Sequence, residues 1–208
     1  MIPELADRPI ALPAGYELTT TVAPAVEPVT VAEAKLNARV DHSAEDSLWA
    51  IWVAAARRLT EREANRRWVT QTVKLVLPGW PADGMIRLPV APVQSVTSVK
   101  YYDATGTQQT LTASTDYRAW LGHHRPVIYP PPPAYWPDLT DSRLDAVEVI
   151  FVAGYGAAAD VPPEARQAVL LATAYWAENR GDQDAPGAMG LPAGAVRLCR
   201  MLDAEGYR

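Results

Sequence analysis

The hydrophobic period of this chain changes twice, and this change limits what the chain can fold into. Before residue 70 and again after Pro163, apolar residues recur at the spacing of an amphipathic helix, whereas between these stretches they alternate as in a strand. Helical patterns on both sides of a strand pattern predict an α+β fold. In this fold a helical bundle made from the N- and C-terminal helices carries a β-rich insert between them.

The helical stretches begin with recognisable signals. Thr30 followed by Glu33 predicts a capping box, and Ser43 followed by Asp46 predicts a second one before a longer helix. Pro163 suits the first position of a third helix. The predicted inner face of the longer helix consists of Leu48, Ile51, Trp52, Ala55 and Leu59. The inner face of the third helix consists of Ala165, Ala168, Val169, Ala172, Tyr175 and Trp176, and that of a last helix of Ala195, Leu198, Cys199 and Leu202.

The middle of the chain predicts short strands and long loops. In the first strand Val73, Leu75 and Leu77 alternate with more polar positions, and six further short runs of β-forming residues follow. The sequence DATGT between two of these runs has the chemistry of a hairpin turn. Ten of the 19 prolines lie between residues 78 and 137. Because proline cannot donate to a strand ladder, we expect a small sheet with exposed edges.

We expect three parts along the chain. Residues 1–28 hold five prolines and no helical period, so they predict an extended N-terminal arm that becomes ordered only where it lies on something. Residues 29–69 and 157–208 form the helical domain, and residues 70–156 form the β-rich insert.

The composition argues against several classes of function. The net charge of −5 is opposite to that of a protein that grips nucleic acid over a large surface. The single cysteine, Cys199, can form no intrachain disulfide, which fits a reducing cytoplasm. No signal-peptide pattern opens the chain, and the longest apolar-rich run, residues 168–177, is shorter than the roughly 20 residues that span a bilayer. We therefore expect a soluble intracellular protein without membrane contact.

The stretch around Gly154 and Gly156 has the order strand, glycine-rich turn and helix, which is also the order of a phosphate-binding loop. A phosphate loop needs several backbone N–H donors and usually a lysine. Here no lysine follows, Asp160 and Glu164 stand where an anion would lie, and two prolines remove donors at the helix start. The glycines therefore predict a joint with positive φ between strand and helix.

Catalytic and metal chemistry have few candidates in this sequence. His123 and His124 are adjacent and would point to opposite faces of a strand, and His42 precedes a helix cap. Cys199 falls on the apolar face of the last helix, where a buried and inert thiol is expected. We predict neither an enzyme nor a cofactor or metal site.

The basic residues concentrate at the end of the second helix. Five arginines against two glutamates give residues 57–67 a local charge of +3, so the rest of the chain carries −8. The arginines are Arg57, Arg58, Arg62, Arg66 and Arg67. Three interpretations remain open: a solvated helix end that complements the helix dipole, a contact with an acidic protein partner, or a contact with DNA phosphates. The sequence YPPPPAYWP likewise fits either a stiff loop or a polyproline ligand.

Three ordered segments resemble the head–tail connector (adaptor) proteins of long-tailed phages, prophages and gene transfer agents. They are the segment that opens with PVTVAEAK, the segment LPVAPVQSV followed by YYD, and AGYG ahead of VPPEARQA. The resemblance covers roughly residues 27–180. It implies a structural protein of the particle neck, assembled in the bacterial cytoplasm and without catalytic residues. Such adaptors form a ring, commonly of twelve copies, beneath the portal protein; the ring extends the channel for double-stranded DNA and docks a stopper or tail-side neck protein.

The ring interpretation assigns roles to particular residues. The arginine cluster is the first candidate for a contact with a neighbouring copy or the portal. Loops at Trp80 and at Tyr135 and Trp136 are candidates for contacts with the tail side or with neighbours. The arm and the segment after Gly181 are expected to become ordered on docking. The competing hypotheses are a small DNA-binding module that uses the arginines and another neck protein, such as a stopper or tail-completion protein, whose β-barrel folds fit four helices poorly.

Overall fold

The computed structural model describes residues 15–122, 125–140, 143–180 and 190–204. Within these ranges the chain has four α-helices and two antiparallel sheets, which confirms the predicted α+β fold. It divides into two compact units. The β unit comprises the chain up to Ala23 together with Gln71–Gly154, and the helical unit comprises Pro24–Thr70 and the chain from Tyr155 onward. His123, His124 and half of the predicted arm (residues 1–14) lie outside the described residues.

Eight strands form the β unit. They are β1 (Glu17–Val22), β2 (Gln71–Leu77), β3 (Ile86–Arg87), β4 (Val93–Tyr102), β5 (Gln108–Leu111), β6 (Arg118–Trp120), β7 (Val127–Tyr129) and β8 (Val147–Ala153). The larger sheet has the order β1-β2-β8-β4-β5 and the smaller one the order β3-β7-β6. Every strand from β2 to β8 falls within a run that the period-two pattern predicts.

The core of the β unit lies between its two sheets. Val73, Leu75 and Leu77 of β2 are fully buried, as their alternation predicts. Phe151 from the larger sheet and Ile128 from the smaller one belong to the same cluster of buried residues. Alternation brings one face of each sheet to this interior and leaves the other face more open.

The first strand is not predicted by the sequence pattern. β1 pairs antiparallel with β2, with Glu17 opposite Val76 and Thr20 opposite Val73. Only Leu18 in this strand is even partly buried. An edge strand held by backbone hydrogen bonds needs no alternation of apolar side chains, so the pattern contains no signal for it.

Four helices form the helical unit: α1 (Val31–Asn37), α2 (Asp46–Glu63), α3 (Pro163–Glu178) and α4 (Ala193–Ala204). The capping box at α1 is confirmed. The backbone N–H of Glu33 donates to Thr30 Oγ1 at 3.1 Å, and the N–H of Thr30 donates to Glu33 Oε2 at 2.7 Å. The hydrogen bond from the Thr30 backbone is the main cause that lowers the pKa of Glu33. None of the helices in the described ranges is both long enough and apolar enough to span a membrane.

The second predicted capping box is wrong. Asp46 is the first residue of α2, and Glu45 at the N-cap makes no side-chain capping bond. Both acidic side chains have other partners: Asp46 Oδ1 pairs with Lys35 Nζ at 2.6 Å, and the carboxylate of Glu45 accepts two hydrogen bonds from Arg180, each 2.7 Å. Tertiary ion pairs have replaced the local cap.

The predicted inner face of α2 is also wrong. The residues that α2 buries are Trp49, Val53, Ala56, Arg57, Thr60 and Glu61. Ile51, placed inside by the pattern, is 64% exposed. Alanines on several sides of α2 make its apolar face ambiguous, and the buried face includes polar residues that a hydrophobic count omits.

The predicted inner faces of α3 and α4 are confirmed in large part, although Tyr175, Trp176 and Leu198 are only half-buried and the buried Thr173 was not predicted. Ala165, Ala168, Val169 and Ala172 are fully buried, and so are Ala195 and Cys199 of α4. Because α4 contributes to this core, residues 193–204 are not a detachable tail, contrary to the expectation for the segment after Gly181.

The joint predicted after β8 is confirmed. Gly154 and Gly156 have φ values of 130° and 136°, which favour glycine. A Cβ atom at Gly156 would collide with the carboxylate of Asp160, which accepts a 2.8 Å hydrogen bond from the N–H of Ala157. The turn therefore closes on its own acidic residue instead of opening toward an anion.

Candidate functional site

The end of α2 is the candidate site that the sequence singles out, and a left-handed residue shapes it. Asn65 has φ 50°, and the N–H of Arg66 donates to the carbonyl of Glu61 at 2.9 Å. The N–H of Asn65 also donates, at 3.4 Å, to the carbonyl of Arg62. This pair of bonds is the Schellman arrangement. It ends the helix and turns the chain back, so that the later arginines do not continue along the outer surface of α2.

Glu61 is the centre of a buried charged network. Its two carboxylate oxygens accept hydrogen bonds from Arg57 Nη1 at 3.1 Å and from the backbone N–H of Trp68 at 2.9 Å. Arg57 Nε also donates to Glu27 Oε2 at 2.6 Å. Arg57 and Glu61 are 5% and 3% exposed, so these groups are paired inside the helical unit.

Arg66 and Arg67 also turn inward. Arg66 is 5% exposed and donates from Nη2 to the carbonyl of Leu202 at 2.9 Å, in the last turn of α4, where a cation complements the helix dipole. Arg67 is partly buried, and its burial lowers the pKa of its guanidinium. Arg57 and Arg66 are therefore enclosed by the helical unit and are not presented on its surface.

Two of the five predicted arginines remain on the surface. Arg58 and Arg62 are exposed one turn apart on the outer side of α2. Their side chains form no hydrogen bond or ion pair with any part of the chain that the structure describes. Arg200 of α4 lies near them, because its Nε pairs with Glu63 Oε1 at 2.9 Å while 73% of its side chain is exposed.

We define the basic face as Arg58, Arg62, Arg197 and Arg200. Arg197 is exposed one turn before Arg200 on α4. Sequence reasoning missed both α4 arginines because they lie more than a hundred residues from α2. A signal for them was present in the sequence: Arg197 and Arg200 are three residues apart and lie on the polar side of α4, the side opposite its predicted apolar face.

The aromatic loops of the β unit brace each other. The rings of Trp80 and Trp136 stack with centroids 4.5 Å apart. Trp80 Nε1 donates to the carbonyl of Pro137 at 2.8 Å, and Trp136 Nε1 donates to the carbonyl of Gly84 at 2.9 Å. Tyr135, between the anchored residues of the loop, is 91% exposed. Of the three predicted aromatic contact residues, Tyr135 alone is presented fully to the surface.

The described residues offer little for catalysis. Burial raises the pKa of Cys199 to about 12, so its thiol stays protonated and unreactive at neutral pH. Within the described ranges no group of three or more His, Cys, Asp or Glu residues could hold a metal ion.

Among known proteins, this chain resembles several solved structures. No protein-family model and no curated protein matches the chain. A structure of the neck of an empty GTA particle, computed with C6 symmetry, matches with a TM-score of 0.74 and 26% identity over 89% of this chain and 94% of the other. A virion of a native gene transfer agent (GTA) particle matches with a TM-score of 0.73 and 27% identity over the same shares.

A third match is the neck of a native GTA particle computed with C12 symmetry, with a TM-score of 0.66 and 26% identity over 88% of this chain and 94% of the other. The likeness thus spans both units of this chain and nearly the whole length of each matched chain. It supports assigning the chain to the class of structural, non-enzymatic components of particle necks.

Proposed function

We propose that this protein is a head–tail adaptor: it forms a ring beneath a portal protein, extends the channel for double-stranded DNA and docks the next neck component. The observation that carries the proposal is the likeness to GTA neck structures over 89% of the chain. Those necks were computed with C6 and C12 symmetry, which favours a ring of twelve copies here. The resemblance of the PVTVAEAK, LPVAPVQSV and AGYG segments to connector proteins supports the same assignment.

The charge distribution suits a ring. A closed cyclic ring uses head-to-tail contacts, so each copy must offer two different complementary surfaces. The basic face offers one of them, and the rest of the chain, which carries −9 when these four arginines are taken from the net charge of −5, supplies the acidic groups for the other. Arginine pairs with carboxylates through two parallel hydrogen bonds, which fixes the geometry of such a contact as well as its charge.

The same charge balance suits a channel for DNA. Each phosphate that a protein neutralises strengthens its hold on the duplex. A channel wall with net negative charge does not hold the duplex in this way and reads no sequence from it. DNA can then move through the ring in both filling and ejection.

The first test is the mass and shape of the purified chain, alone and mixed with its candidate portal, by light scattering and negative-stain imaging. We expect rings of about twelve copies or a portal complex longer by one layer. A monomer that leaves the portal unchanged would contradict the adaptor assignment.

A second test addresses the basic face. The double variant Arg58→Glu/Arg62→Glu should lose ring or portal assembly while its unfolding free energy changes by less than about 0.5 kcal/mol, because both side chains are exposed. The matched control Arg58→Lys/Arg62→Lys keeps the charge and loses the paired donors, so partial assembly is expected. Full assembly of the glutamate variant would remove the basic face from the contact.

The exposure of four arginines on α2 and α4 also favours a second candidate, a DNA-binding module. Affinity for duplex DNA that falls steeply with salt, and that the glutamate variant abolishes, would support it. Ring assembly without such binding would reject it.

A further inference from the structure

The β unit contains an open groove of about 580 Å³, a volume in the range of ligand sites. One wall is the first half of β4, including Ser95 and Val96. The opposite wall is formed by Tyr117, Arg118 and Ala119, at and beside β6. The lining mixes apolar surface with polar groups, which suits a peptide better than a small apolar ligand.

Both walls are sheet edges. β5 pairs with β4 only from Val99 to Tyr102, so among the described strands none pairs with residues 95–98 on that side. β6 is an outer strand of the smaller sheet in the described structure, and Tyr117 just before it is bridged to Ala113. Strand edges present backbone N–H and C=O groups to an extended segment, which can add as a further strand.

The opposite edge of the larger sheet supplies such a segment. β1 is the outer strand on that side, and residues 1–14 lead directly into it. Each copy therefore has the segment that precedes β1 next to one edge of the sheet in sequence, and a groove at the other edge. This is the arrangement of two different surfaces that a head-to-tail ring requires.

We propose that residues 9–13 of one copy bind as an extended strand in the groove of the next copy. The inference rests on the proposed ring function and names one of its contacts. In an extended chain Ile10 and Leu12 share one face and direct their N–H groups to one edge, whereas Pro9, Ala11 and Pro13 lie toward the other edge. Pro9 and Pro13 have no N–H donor, so the edge of the segment that contains them can stay unpaired. The segment can then pair with the groove through the edge of Ile10 and Leu12.

The apolar residues of the two partners are complementary. Ile10 and Leu12 are the large apolar residues of the segment, and they would lie on one face of the added strand. Val96 and Leu121 are apolar residues of the groove lining. Contact between these two pairs would remove apolar surface of both copies from water.

The charges near the contact are complementary as well. Before the segment, the acidic residues Glu4 and Asp7 outnumber the single cation Arg8. Arg118 is an exposed cation on the groove wall. The acidic side chains upstream can therefore pair with a basic wall, which favours this orientation of the segment.

A copy cannot place Leu12 in its own groove. Glu17 lies level with Glu148 on β8, while Val96 lies opposite Phe151, about 10 Å farther along that strand. Three strand spacings separate β1 from β4, or about 14 Å, so even a straight path through the sheet to β4 is about 17 Å. A strand added beyond β4 lies one spacing farther, about 21 Å from Glu17, whereas the five steps from Leu12 to Glu17 span at most about 18 Å.

Disulfide trapping between two single-site variants of the full chain tests this contact. Leu12→Cys protein is mixed with Ala119→Cys protein, so that a link between positions 12 and 119 can form only between copies. The native Cys199 is buried and stays unreactive. The matched control is Leu144→Cys, a site on the same unit that is 79% exposed and lies outside the groove lining. Linked peptides are quantified by mass spectrometry, and light scattering is recorded on the same samples.

We expect the link from position 12 to position 119 to form roughly 100-fold faster than the link to position 144, because a docked segment experiences a millimolar effective concentration. Equal rates at both sites would overturn the proposal. Rings without the link to position 119 would also overturn it and leave the adaptor function standing. Monomers without any link would count against both proposals together.

Discussion

The β unit encloses an interior that is almost wholly apolar, whereas the helical unit buries charged residues among its tryptophans and alanines. Of the six buried polar or charged residues in the described ranges, only Gln71 lies in the β unit. The other five are Arg57, Thr60, Glu61, Arg66 and Thr173. The β unit is therefore stabilised mainly by apolar burial, whereas the stability of the helical unit also depends on buried hydrogen bonds and ion pairs.

This difference has a structural consequence. An apolar core tolerates many arrangements of similar volume, but a buried ion pair penalises every arrangement that leaves a charge unpaired. Glu61 joins α2 to the backbone of Trp68, and Arg66 joins the following turn to α4. The buried charges thus fix the path of the chain just beyond α2, beside the exposed arginines proposed to contact a partner.

The largest effect is expected in the apolar core. Phe151→Ala removes a fully buried ring between the two sheets and should destabilise the β unit by about 4 kcal/mol through lost burial and a residual cavity. Hydrogen exchange read by mass spectrometry should show faster exchange in β2, β4 and β8 and little change in α2 and α3. Leu144→Ala, at a site 79% exposed, is the control and should stay within about 0.5 kcal/mol. An equal increase of hydrogen exchange in both units would mean that the stability of the helical unit depends on that of the β unit.

A somewhat smaller effect is expected from the buried network. Glu61→Gln keeps the shape but removes one of the two carboxylates that pair with Arg57, which keeps Glu27, and we expect a loss of about 2 kcal/mol in the unfolding free energy of the helical unit. The control Glu63→Gln breaks the exposed pair with Arg200 and should cost less than about 1 kcal/mol. The unfolding free energies of the two variants are measured by denaturant unfolding, with tryptophan fluorescence as the signal. Similar losses for both variants would show that burial of the network adds nothing.

The smallest effect concerns an exposed acidic group of the β unit. Hydrogen bonds from the Thr105 hydroxyl, and then from Gln109 and the backbone of Thr107, lower the pKa of Asp103 from 3.8 to about 2. At pH values above 3.8, the hydrogen-bonded carboxylate of Asp103 stabilises the turn. This stabilisation is lost as the pH falls from 3.8 through about 2. NMR titration of the carboxyl group should give this low midpoint, and Thr105→Val should raise it. An unchanged midpoint in Thr105→Val would assign the shift to the other donors.

Features that depend on near neighbours were predictable from the sequence. The capping box of Thr30 and Glu33 needs only residues three apart, and the alternation of β2 follows from the period of two in a strand. The hairpin at Asp103 and the glycine joint after β8 likewise depend on local conformational preference.

Features with distant partners were missed or only partly predicted. The failed cap at Ser43 reflects ion pairs of Glu45 with Arg180 and of Asp46 with Lys35. The candidate site shows the same limit: the sequence located the arginines, but it could not separate the exposed Arg58 and Arg62 from the buried Arg57 and Arg66.

The sequence alone determined the order of the four helices and of strands β2 to β8, because hydrophobic period and capping act within a few residues along the chain. Only the tertiary structure decided which face of α2 is buried, that residues 17–22 form a strand, and which arginines remain on the surface. Each of these depends on a partner that the sequence does not place nearby: β2 for the strand, and Glu27 and Leu202 for the arginines. Burial of a charged group is decided by the partner that compensates its loss of solvent, and that partner is brought near only by the fold.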